Sequence, residues 1–466
     1  MTQTVELPLW LFVLILLFAA ITFASHFLFP SVRWFFRRRL ERAVARLNRR
    51  LERPIQPFKL ARRYDMIQRL IYDPQVAQAI ADHARGKGIP ENVAFEEARR
   101  YAREIVPSFS AVAYFSVAIR LARFLSNAVY RVRLGHVDEA ALKAIDPEAT
   151  VVFVMNHRSN MDYVLITYLA ANRSALSYAV GEWARVWPLS RLIRAMGAYF
   201  IRRKSRNDLY RRVLATYVRL ATQGGVTQAM FPEGGLSLDG ALAEPKVGLL
   251  KYIVDGQLGQ GDGGRDVVFV PVALNYDRVL EDKILTSAAQ SGERRFRPRI
   301  HVVAIRMLRQ LMLWLTGRYQ RFGYAAVSFG RPLSLRVFML REGEDAPTVL
   351  AQELMGRIGE CVPVLPVALV AATLVRLQSG SNPWSRSDIE QTMEGLLAQI
   401  PFAHIHTPRD SLGDAAEVGL RQLTARGILQ EHQNRYQVDA ERGDLLVYYA
   451  NSIRHLIPEP TEATSA

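Results

Sequence analysis

The feature that most constrains the fold is an apolar run followed at once by a polar turn. Val151–Met155 reads Val-Val-Phe-Val-Met, which is typical of a buried parallel strand. Residues 161–169 are again mainly apolar and are predicted to form a helix. Strands that pass into helices build α/β folds, and ligands bind them at the carboxyl edge of the sheet. The turn between this strand and this helix is therefore a candidate functional site.

This turn has the sequence N-H-R-S-N-M-D and places His157 five positions before Asp162. A histidine here is suited to act as a general base, and the aspartate to hold its imidazole in the required tautomer. Two residues five positions apart on an ideal helix point in directions that differ by about 140°, so their side chains cannot face each other. His157 is therefore expected in the turn and Asp162 in the first helical turn. The residues also fit a capping box with Ser159 at the N-cap, so the motif alone allows a purely structural role as well.

Three more motifs follow in order: G-A-Y-F-I-R-R at 197–203, F-P-E-G-G at 231–235 and V-P-V-A-L-N-Y at 270–276. With the first motif, their order and spacing resemble the glycerolipid acyltransferase superfamily. The likeness is greatest to its glycerol-3-phosphate acyltransferase branch, whose first motif typically reads N-H-R-S-x-M-D-Y. The resemblance covers residues 145–335 and extends more weakly to 445–453. It implies an α/β acyltransferase-type sheet flanked by helices.

The resemblance also implies a reaction. An acyl group would pass from a thioester of coenzyme A or acyl carrier protein to the sn-1 hydroxyl of glycerol 3-phosphate. His157 would be the general base, oriented by Asp162, and no covalent enzyme intermediate, cofactor or metal is expected. Backbone N–H groups at Gly234 and Gly235, or at the helix start near Ser159, are alternative candidates to stabilise the oxyanion.

A phosphate on the acceptor requires fixed cations. Arg202 and Arg203 end a predicted short strand, and arginine binds phosphate oxygens with a planar, two-pronged guanidinium. Lys246 matches the P-K-x-G pattern of the family, and Glu233 belongs to its third motif, so both are predicted to contribute to substrate binding. The alternative for the arginines is a solvated basic edge, because further basic residues follow closely.

The chain departs from the family within the third motif. The family commonly continues F-P-E-G-G-R-S-R-T-G, whereas this chain has Leu236 and Leu238 at the two arginine positions. A leucine cannot replace a charge-assisted hydrogen bond, which contributes about 1.5–3 kcal/mol. Either another cation binds the phosphate, or the acceptor is a lysophospholipid or dihydroxyacetone phosphate. A non-catalytic lipid-binding scaffold is a third hypothesis.

Other catalytic and metal sites are disfavoured. The segment that ends at Asp239 does not match the nucleophile motif G-x-S-x-G. The single cysteine, Cys361, lies in no family motif and is expected to be a buried core residue. His404 and His406 form a pair without further ligands at a known metal-binding spacing.

The N-terminal part of the sequence predicts a membrane anchor. Residues 7–29 carry no charge and are long enough to cross about 30 Å of hydrocarbon. Nine arginines follow between residues 33 and 53, which places the rest of the chain on the cytoplasmic face. We expect a single-pass signal anchor in the inner membrane. The alternative, a cleaved signal peptide, normally has basic residues before the apolar core.

The arginine-rich segment also carries Leu40, Val44, Leu47 and Leu51 at helical spacing, which predicts an amphipathic helix on an anionic leaflet. The net charge of +16 suits acidic lipids and an anionic acyl carrier. Nucleic acid is not an expected partner, although the sequence around residues 411–439 resembles a winged helix. A membrane span is unusual in a DNA-binding protein.

The predicted organisation has four parts. Residues 1–30 form the transmembrane anchor, and residues 31–144 a basic, helical, membrane-proximal region. Within this region, 109–130 is rich in apolar and aromatic residues, which fits either a core helix or a second membrane-dipping element. Residues 145–335 form the α/β catalytic domain. Residues 336–466 are mainly helical, with a disordered tail after Pro458.

Overall fold

The structure is a computed structural model of the 466-residue chain. It describes residues 8–458 apart from 172, 182–184, 186, 188, 203, 204, 206, 260–262, 293–320, 343–345, 379–382 and 407–410. Arg203 and the predicted disordered tail lie outside the described residues. The chain divides into two compact units, one of residues 1–55 and 172–174 and one of residues 56–171 and 175–466.

The first unit contains one long helix, α1 (Leu9–Asn48). The predicted apolar stretch and much of the arginine-rich segment lie on this helix. Most large apolar side chains between Leu9 and Phe23 are exposed to solvent. After the helix, the Asn48 side-chain oxygen accepts the backbone N–H of Ile55 at 2.9 Å. Within the part of the chain that the structure describes, no helix combines the length and apolar character that a membrane span requires.

The second unit is built on a mixed sheet. Its described strands are β1 (Arg131–Val137), β2 (Thr150–Met155), β3 (Ser177–Gly181), β4 (Tyr199–Ile201), β5 (Gln228–Met230), β6 (Val267–Tyr276), β7 (Tyr324–Phe329) and β8 (Leu333–Ser334). Their order is β1-β7-β6-β2-β5-β3-β4, and β8 also pairs with β6. Only the β6–β7 and β6–β8 pairs are antiparallel among these strands. The predicted α/β class is confirmed.

The sheet begins earlier in the sequence than residue 145, where the motifs placed it. β1 pairs in parallel with β7, starting with Arg131 opposite Tyr324. Most of its residues are exposed, because in this sheet it pairs only with β7 among the described strands. An exposed edge strand needs no continuous apolar run, so residues 131–137 form a strand within the region 31–144 that was expected to be helical.

Helices flank this sheet. Those before and between its strands are α2 (Pro57–Leu60), α3 (Arg63–Ile71), α4 (Pro74–Lys87), α5 (Glu91–Ile105), α6 (Ile119–Val129), α7 (Glu139–Lys143), α8 (Met161–Leu169), α9 (Leu189–Ala195), α10 (Asp208–Gln223), α11 (Gly248–Leu258) and α12 (Asp282–Ser291). A π-helical turn, Ala113–Ala118, leads directly into α6. Side-chain caps define several starts: Asn207, for example, accepts the Tyr210 N–H at the start of α10.

The C-terminal region is mainly helical, as predicted. Its helices are α13 (Leu335–Glu342), α14 (Ala346–Glu360), α15 (Pro366–Leu377), α16 (Arg386–Ala398), α17 (Leu412–Ala425) and α18 (Gly443–Arg454). A small antiparallel sheet joins β9 (Trp384–Ser385), β10 (Leu429–His432) and β11 (Arg435–Val438). Helix α15 is buried from Pro366 to Leu374 and packs against α16, α17 and α18. Cys361 is buried, as expected.

The centre of the sheet sets the position of the functional residues. Strand β2 is buried along its whole length and lies between β5 and β6, parallel to both. The carboxyl ends of these three strands therefore meet at one edge of the sheet. His157 follows β2, Phe231 follows β5, and Tyr276 ends β6. Residues from three separate motifs are brought together in this way.

Candidate active site

The turn after β2 is fixed by Asn156. Its side-chain amide donates to the Leu274 carbonyl at 3.0 Å and accepts the Leu274 N–H at 2.8 Å. These two bonds continue the pairing of β2 with β6 by one residue through a side chain. The following residue, His157, is buried at the edge of the sheet.

The two predicted catalytic side chains are in contact. His157 Nδ1 lies 2.9 Å from Asp162 Oδ2, and their side chains are 2% and 0% exposed. The imidazole stacks on the Phe231 ring with 4.0 Å between centroids, while Tyr163 meets it edge-on. Because Nδ1 faces the carboxylate, Nε2 is the ring nitrogen left to exchange a proton with a substrate. This geometry suits a general base.

Asp162 is held by four hydrogen-bond partners. Besides His157, its Oδ2 atom accepts the backbone N–H groups of Arg158 at 2.8 Å and Ser159 at 3.0 Å. Its Oδ1 atom accepts the Tyr276 hydroxyl at 2.6 Å. Three donors to one oxygen and a phenol to the other compensate the loss of water around a buried carboxylate. They also fix the direction in which it meets the imidazole.

The helix starts one residue later than predicted, but the Ser159 hydroxyl still caps it by accepting the Met161 N–H at 3.1 Å. Helix α8 starts at Met161 with Asn160 as its N-cap, and the Ser159 hydroxyl donates to Glu281 at 2.7 Å. Glu281 also accepts the backbone and side-chain N–H groups of Asn160. One half of the capping box is present, because Asp162 accepts the Ser159 N–H. The turn is tightened by a carboxylate from a distant segment, which local sequence could not reveal.

The third motif supports the other side of His157. Glu233 is buried, and its Oε1 atom accepts the backbone N–H of His157 at 3.1 Å. Burial raises the pKa of Glu233 to about 8, while the His157 N–H lowers it to a smaller extent. Glu233 therefore contacts the catalytic turn directly, whereas the family resemblance predicted a part in binding substrate.

Gly234 allows Lys246 to approach this loop. Gly234 has a φ of +67°, and a Cβ atom built there would lie 2.8 Å from Lys246 Cδ and 3.1 Å from its Nζ. The Lys246 N–H also donates to the Pro232 carbonyl at 2.8 Å. The ammonium group is thus placed beside the motif that holds His157. Of the predicted cations, Lys246 therefore lies beside the loop whose Glu233 bonds His157.

The two leucines at family arginine positions are partly buried. Leu236 and Leu238 both pack against the main hydrophobic core. Nearby, the buried Arg158 donates to the Gly240 carbonyl and lies over the Tyr448 ring at 5.1 Å. The loop after the third motif is therefore held by apolar packing and by the C-terminal helix α18.

Arg202 lies farther along the sheet. Its guanidinium forms a two-pronged ion pair with Glu104, at 2.8 and 2.6 Å, and Arg185 bonds the same carboxylate. This hydrogen bonding raises the pKa of Arg202 above its ordinary value. Arg202 follows β4, which is separated from β2 by β5 and β3, or about 14 Å at about 4.8 Å per strand. Its role in substrate binding stays a prediction, and Arg203 lies outside the described residues.

Sequence reasoning missed three residues that organise the site: Tyr276, Glu281 and Arg158. Tyr276 and Arg158 stand inside motifs that were recognised, so their positions were available but their contacts were not. Glu281 lies five residues beyond the fourth motif and carried no recognisable signal. Burial raises the pKa of Glu281, a half-buried residue whose carboxylate bonds Ser159 and Asn160. Over the described residues, no cluster of three or more histidine, cysteine or acidic side chains is arranged to hold a metal.

Two family sequence models match the chain. The family described as Acyltransferase matches residues 136–275. Glycerol-3-phosphate acyltransferase C-terminal region matches residues 309–461. The first match includes the catalytic turn and the third motif. The second includes α18, whose Tyr448 contacts the same site.

Curated relatives agree with these matches. A glycerol-3-phosphate acyltransferase of Pseudomonas entomophila (strain L48) is 26% identical over 451 residues, which cover 91% of this chain and 52% of the relative. Its counterpart in Actinobacillus succinogenes is 29% identical over 443 residues, covering 87% of this chain and 51% of the relative. The chain thus spans about half the length of these relatives.

Among solved structures, the 1-acyl-sn-glycerophosphate (LPA) acyltransferase of Thermotoga maritima aligns with 52% of this chain and 76% of its own. The alignment has a TM-score of 0.32 and a sequence identity of 18%. The two family matches and the curated relatives confirm the predicted resemblance: residues 136–275 are similar to the Acyltransferase family, and residues 309–461 are similar to the C-terminal region of glycerol-3-phosphate acyltransferases.

Proposed function

We propose that this chain transfers a fatty acyl group from an acyl thioester to the sn-1 hydroxyl of glycerol 3-phosphate, which yields lysophosphatidic acid. The observation that carries the proposal is the buried His157–Asp162 pair at the carboxyl edge of the sheet. The relatives named glycerol-3-phosphate acyltransferase support the choice of acceptor. Coenzyme A and acyl carrier protein are both open as the carrier.

In the proposed mechanism His157 Nε2 takes the proton of the acceptor hydroxyl as its oxygen attacks the thioester carbonyl. General base catalysis by His157 contributes a rate factor of about 10²- to 10⁴-fold. Asp162 stabilises the imidazolium that forms. The tetrahedral intermediate then collapses with cleavage of the carbon–sulfur bond. The thiolate leaves with the proton from the imidazolium, so the carrier is released as a free thiol.

The hydrogen bonds of the turn narrow the choice of oxyanion donor. The Gly234 N–H donates to the Phe231 carbonyl at 3.1 Å, and the Ser159 N–H donates to Asp162. Among the described residues, the Gly235 N–H has no such acceptor. We therefore assign the oxyanion contact to Gly235, next to the loop that holds His157.

A second acceptor is favoured by one observation. Leu236 and Leu238 stand where the family has arginines, and both pack against the core instead of presenting charge. A lysophospholipid would bring additional apolar surface to such a site. The runner-up function is therefore acylation of lysophosphatidate or another lysophospholipid, or of dihydroxyacetone phosphate, by the same mechanism.

We also propose that the protein works at the inner membrane, with the catalytic unit on the cytoplasmic face and anionic lipids as partners. The uncharged residues 7–29, the nine arginines after them and the exposed apolar side chains of α1 support this location. The substrates fit it as well, because acyl chains partition into lipid.

Product analysis tests the function. Membranes that contain the full chain are incubated with labelled acyl-coenzyme A or acyl carrier protein and with glycerol 3-phosphate, lysophosphatidate or dihydroxyacetone phosphate in separate reactions. His157→Ala, checked for folding and membrane association, is the control. Product with glycerol 3-phosphate alone, absent in the variant, supports the proposal. Product only with another acceptor favours the runner-up, and equal product from His157→Ala contradicts the mechanism.

A further inference from the structure

The segment from Val112 to Phe124 exposes a row of large apolar side chains. Val112 and Val117 are each 54% exposed, Leu121 is 43% exposed and Phe124 is 58% exposed. Single exposed apolar residues are common on soluble proteins, but a row of four along one helix marks a surface that binds something.

The π-helical turn aligns these four residues. In a π-turn the backbone hydrogen bonds join residues i and i+5, so residues five positions apart lie on nearly the same side, as Val112 and Val117 do across Ala113–Ala118. The next steps, to Leu121 and Phe124, are four and three residues and follow the α-helical repeat. The opposite side of the segment is buried through residues that include Tyr114 and Ala122. The segment is thus an amphipathic helix whose apolar row faces away from the protein.

The charges around this row are of one sign. Arg120 and Arg123 are exposed beside Leu121 and Phe124. From residue 105 to residue 137 the sequence contains four arginines and no acidic residue. An apolar row flanked by arginines is complementary to an anionic lipid surface, because the apolar side chains can contact the acyl methylenes while the arginines contact the headgroup phosphates.

A neighbouring helix has the same character. Helix α9 exposes Leu189 and Leu192, and Arg191 between them is also exposed. Its end is joined to the start of the apolar segment, because Ser108 N–H donates to the Arg194 carbonyl at 3.2 Å. Two adjoining helices therefore expose apolar and cationic groups without an acidic residue in either exposed face.

This surface lies one helix away from the chemistry. Helix α6 packs against α8, whose first turn carries Asp162. The Arg123 guanidinium lies 5.9 Å from the centroid of the Tyr168 ring on α8. Lipid bound to the apolar row would thus be close to the catalytic pair.

We infer that the row Val112, Val117, Leu121 and Phe124 inserts into the headgroup–acyl boundary of an anionic bilayer. It forms a lipid contact additional to α1 and holds the catalytic edge of the sheet near the plane where acyl chains lie. The inference rests on the membrane-bound function proposed above. It commits to lipid as the occupant, because a protein partner would have to match apolar and cationic groups on two helices.

Site-specific fluorescence tests this contact. Cys361 is the only cysteine in the sequence and is buried, so Phe124→Cys in the full chain can be labelled selectively with an environment-sensitive nitrobenzoxadiazole probe. The labelled protein is placed in nanodiscs of phosphatidylglycerol or phosphatidylcholine that contain shallow spin-labelled quencher lipids. Phe18→Cys on α1 reports membrane association as such. Leu340→Cys, at a residue 86% exposed on α13, is the matched negative control.

We expect blue-shifted, quenchable emission at position 124 in phosphatidylglycerol and none at position 340. Arg120→Gln and Arg123→Gln should each weaken the preference for phosphatidylglycerol about fivefold, from about 1 kcal/mol per arginine. Quenching at position 18 without quenching at position 124 overturns this inference and leaves membrane association intact. If neither position 18 nor position 124 is quenched, both this inference and the proposed membrane association are overturned. A blue shift at 124 with acyl carrier protein but not with lipid also overturns it, because the row then binds protein.

Discussion

Asp162→Asn separates the charge of the catalytic aspartate from its hydrogen bonds. The asparagine oxygen can replace Oδ2 and accept from His157, Arg158 and Ser159, which now bond that atom at 2.8–3.0 Å. The amide group can replace Oδ1 and donate to the Tyr276 hydroxyl. The fold should therefore survive the substitution, while the negative charge beside the imidazole is lost.

The size of the effect follows from the geometry. An Nδ1–Oδ2 distance of 2.9 Å puts the charge centres about 4 Å apart. At an effective dielectric constant of about 20 this pair attracts by about 4 kcal/mol. The imidazolium forms only as the proton is taken, so the loss falls on the transition state. We expect kcat to drop about 10³-fold, at about 1.4 kcal/mol per factor of ten.

The assay is the steady-state rate of acyl transfer, with the melting temperature of the same preparation beside it. Tyr276→Phe is the matched control, because it removes the 2.6 Å hydrogen bond to Asp162 but leaves the charge. It should lower stability by about 1.5–3 kcal/mol and affect kcat much less than Asp162→Asn. A fall in kcat below tenfold for a folded Asp162→Asn enzyme would refute the electrostatic role of Asp162.

Three further outcomes are expected. Lys246→Met should raise the KM for glycerol 3-phosphate about 10- to 100-fold, because it removes a charge-assisted hydrogen bond of about 1.5–3 kcal/mol. Arg202→Gln should mainly lower stability, because Arg202 is paired with a buried carboxylate. Equal KM values for Lys246→Met and the parent protein would show that Lys246 does not bind the substrate. Glu233→Gln should flatten the pH dependence of stability. Burial raises the folded-state pKa of Glu233 to about 8, so the parent protein loses stability as the pH rises from the unfolded-state pKa through about 8. An equal change in the free energy of unfolding between pH 5 and pH 9 for the two proteins would contradict this. Gly240→Ala should destabilise the protein by more than about 1 kcal/mol, because the φ of Gly240 is +88° and a Cβ atom would collide with the Tyr448 carbonyl. A melting temperature equal to that of the parent protein would contradict the close approach of α18 to Gly240.

Local patterns predicted the site well where the chemistry is local. The apolar run before His157 and the five-residue step to Asp162 were sufficient to place a strand, a turn and a helix, and the structure brings the two side chains together. The Ser159 hydroxyl accepts the Met161 N–H as a cap, but it also donates to Glu281, which is more than a hundred residues away. A local capping rule cannot anticipate a partner that long-range folding supplies.

The residues predicted to bind phosphate show the opposite case. The motif that contains Arg202 is recognisable, yet no local pattern indicated that Glu104 would pair with its guanidinium. The edge strand β1 was missed for a related reason, since an exposed strand carries no continuous apolar run. Both the Glu104 contact and the exposure of β1 depend on which elements become neighbours.

The sequence by itself determined the α/β class, the pairing of His157 with Asp162 and the basic, apolar character of the N-terminal region. These depend on hydrophobic periodicity, short spacings and charge, all of which act over a few residues. Only the tertiary structure decided that Tyr276 and Glu281 secure the catalytic turn and that α18 closes over Gly240. These contacts depend on the order of parallel strands in the sheet, which joins carboxyl ends far apart in the chain at a single edge.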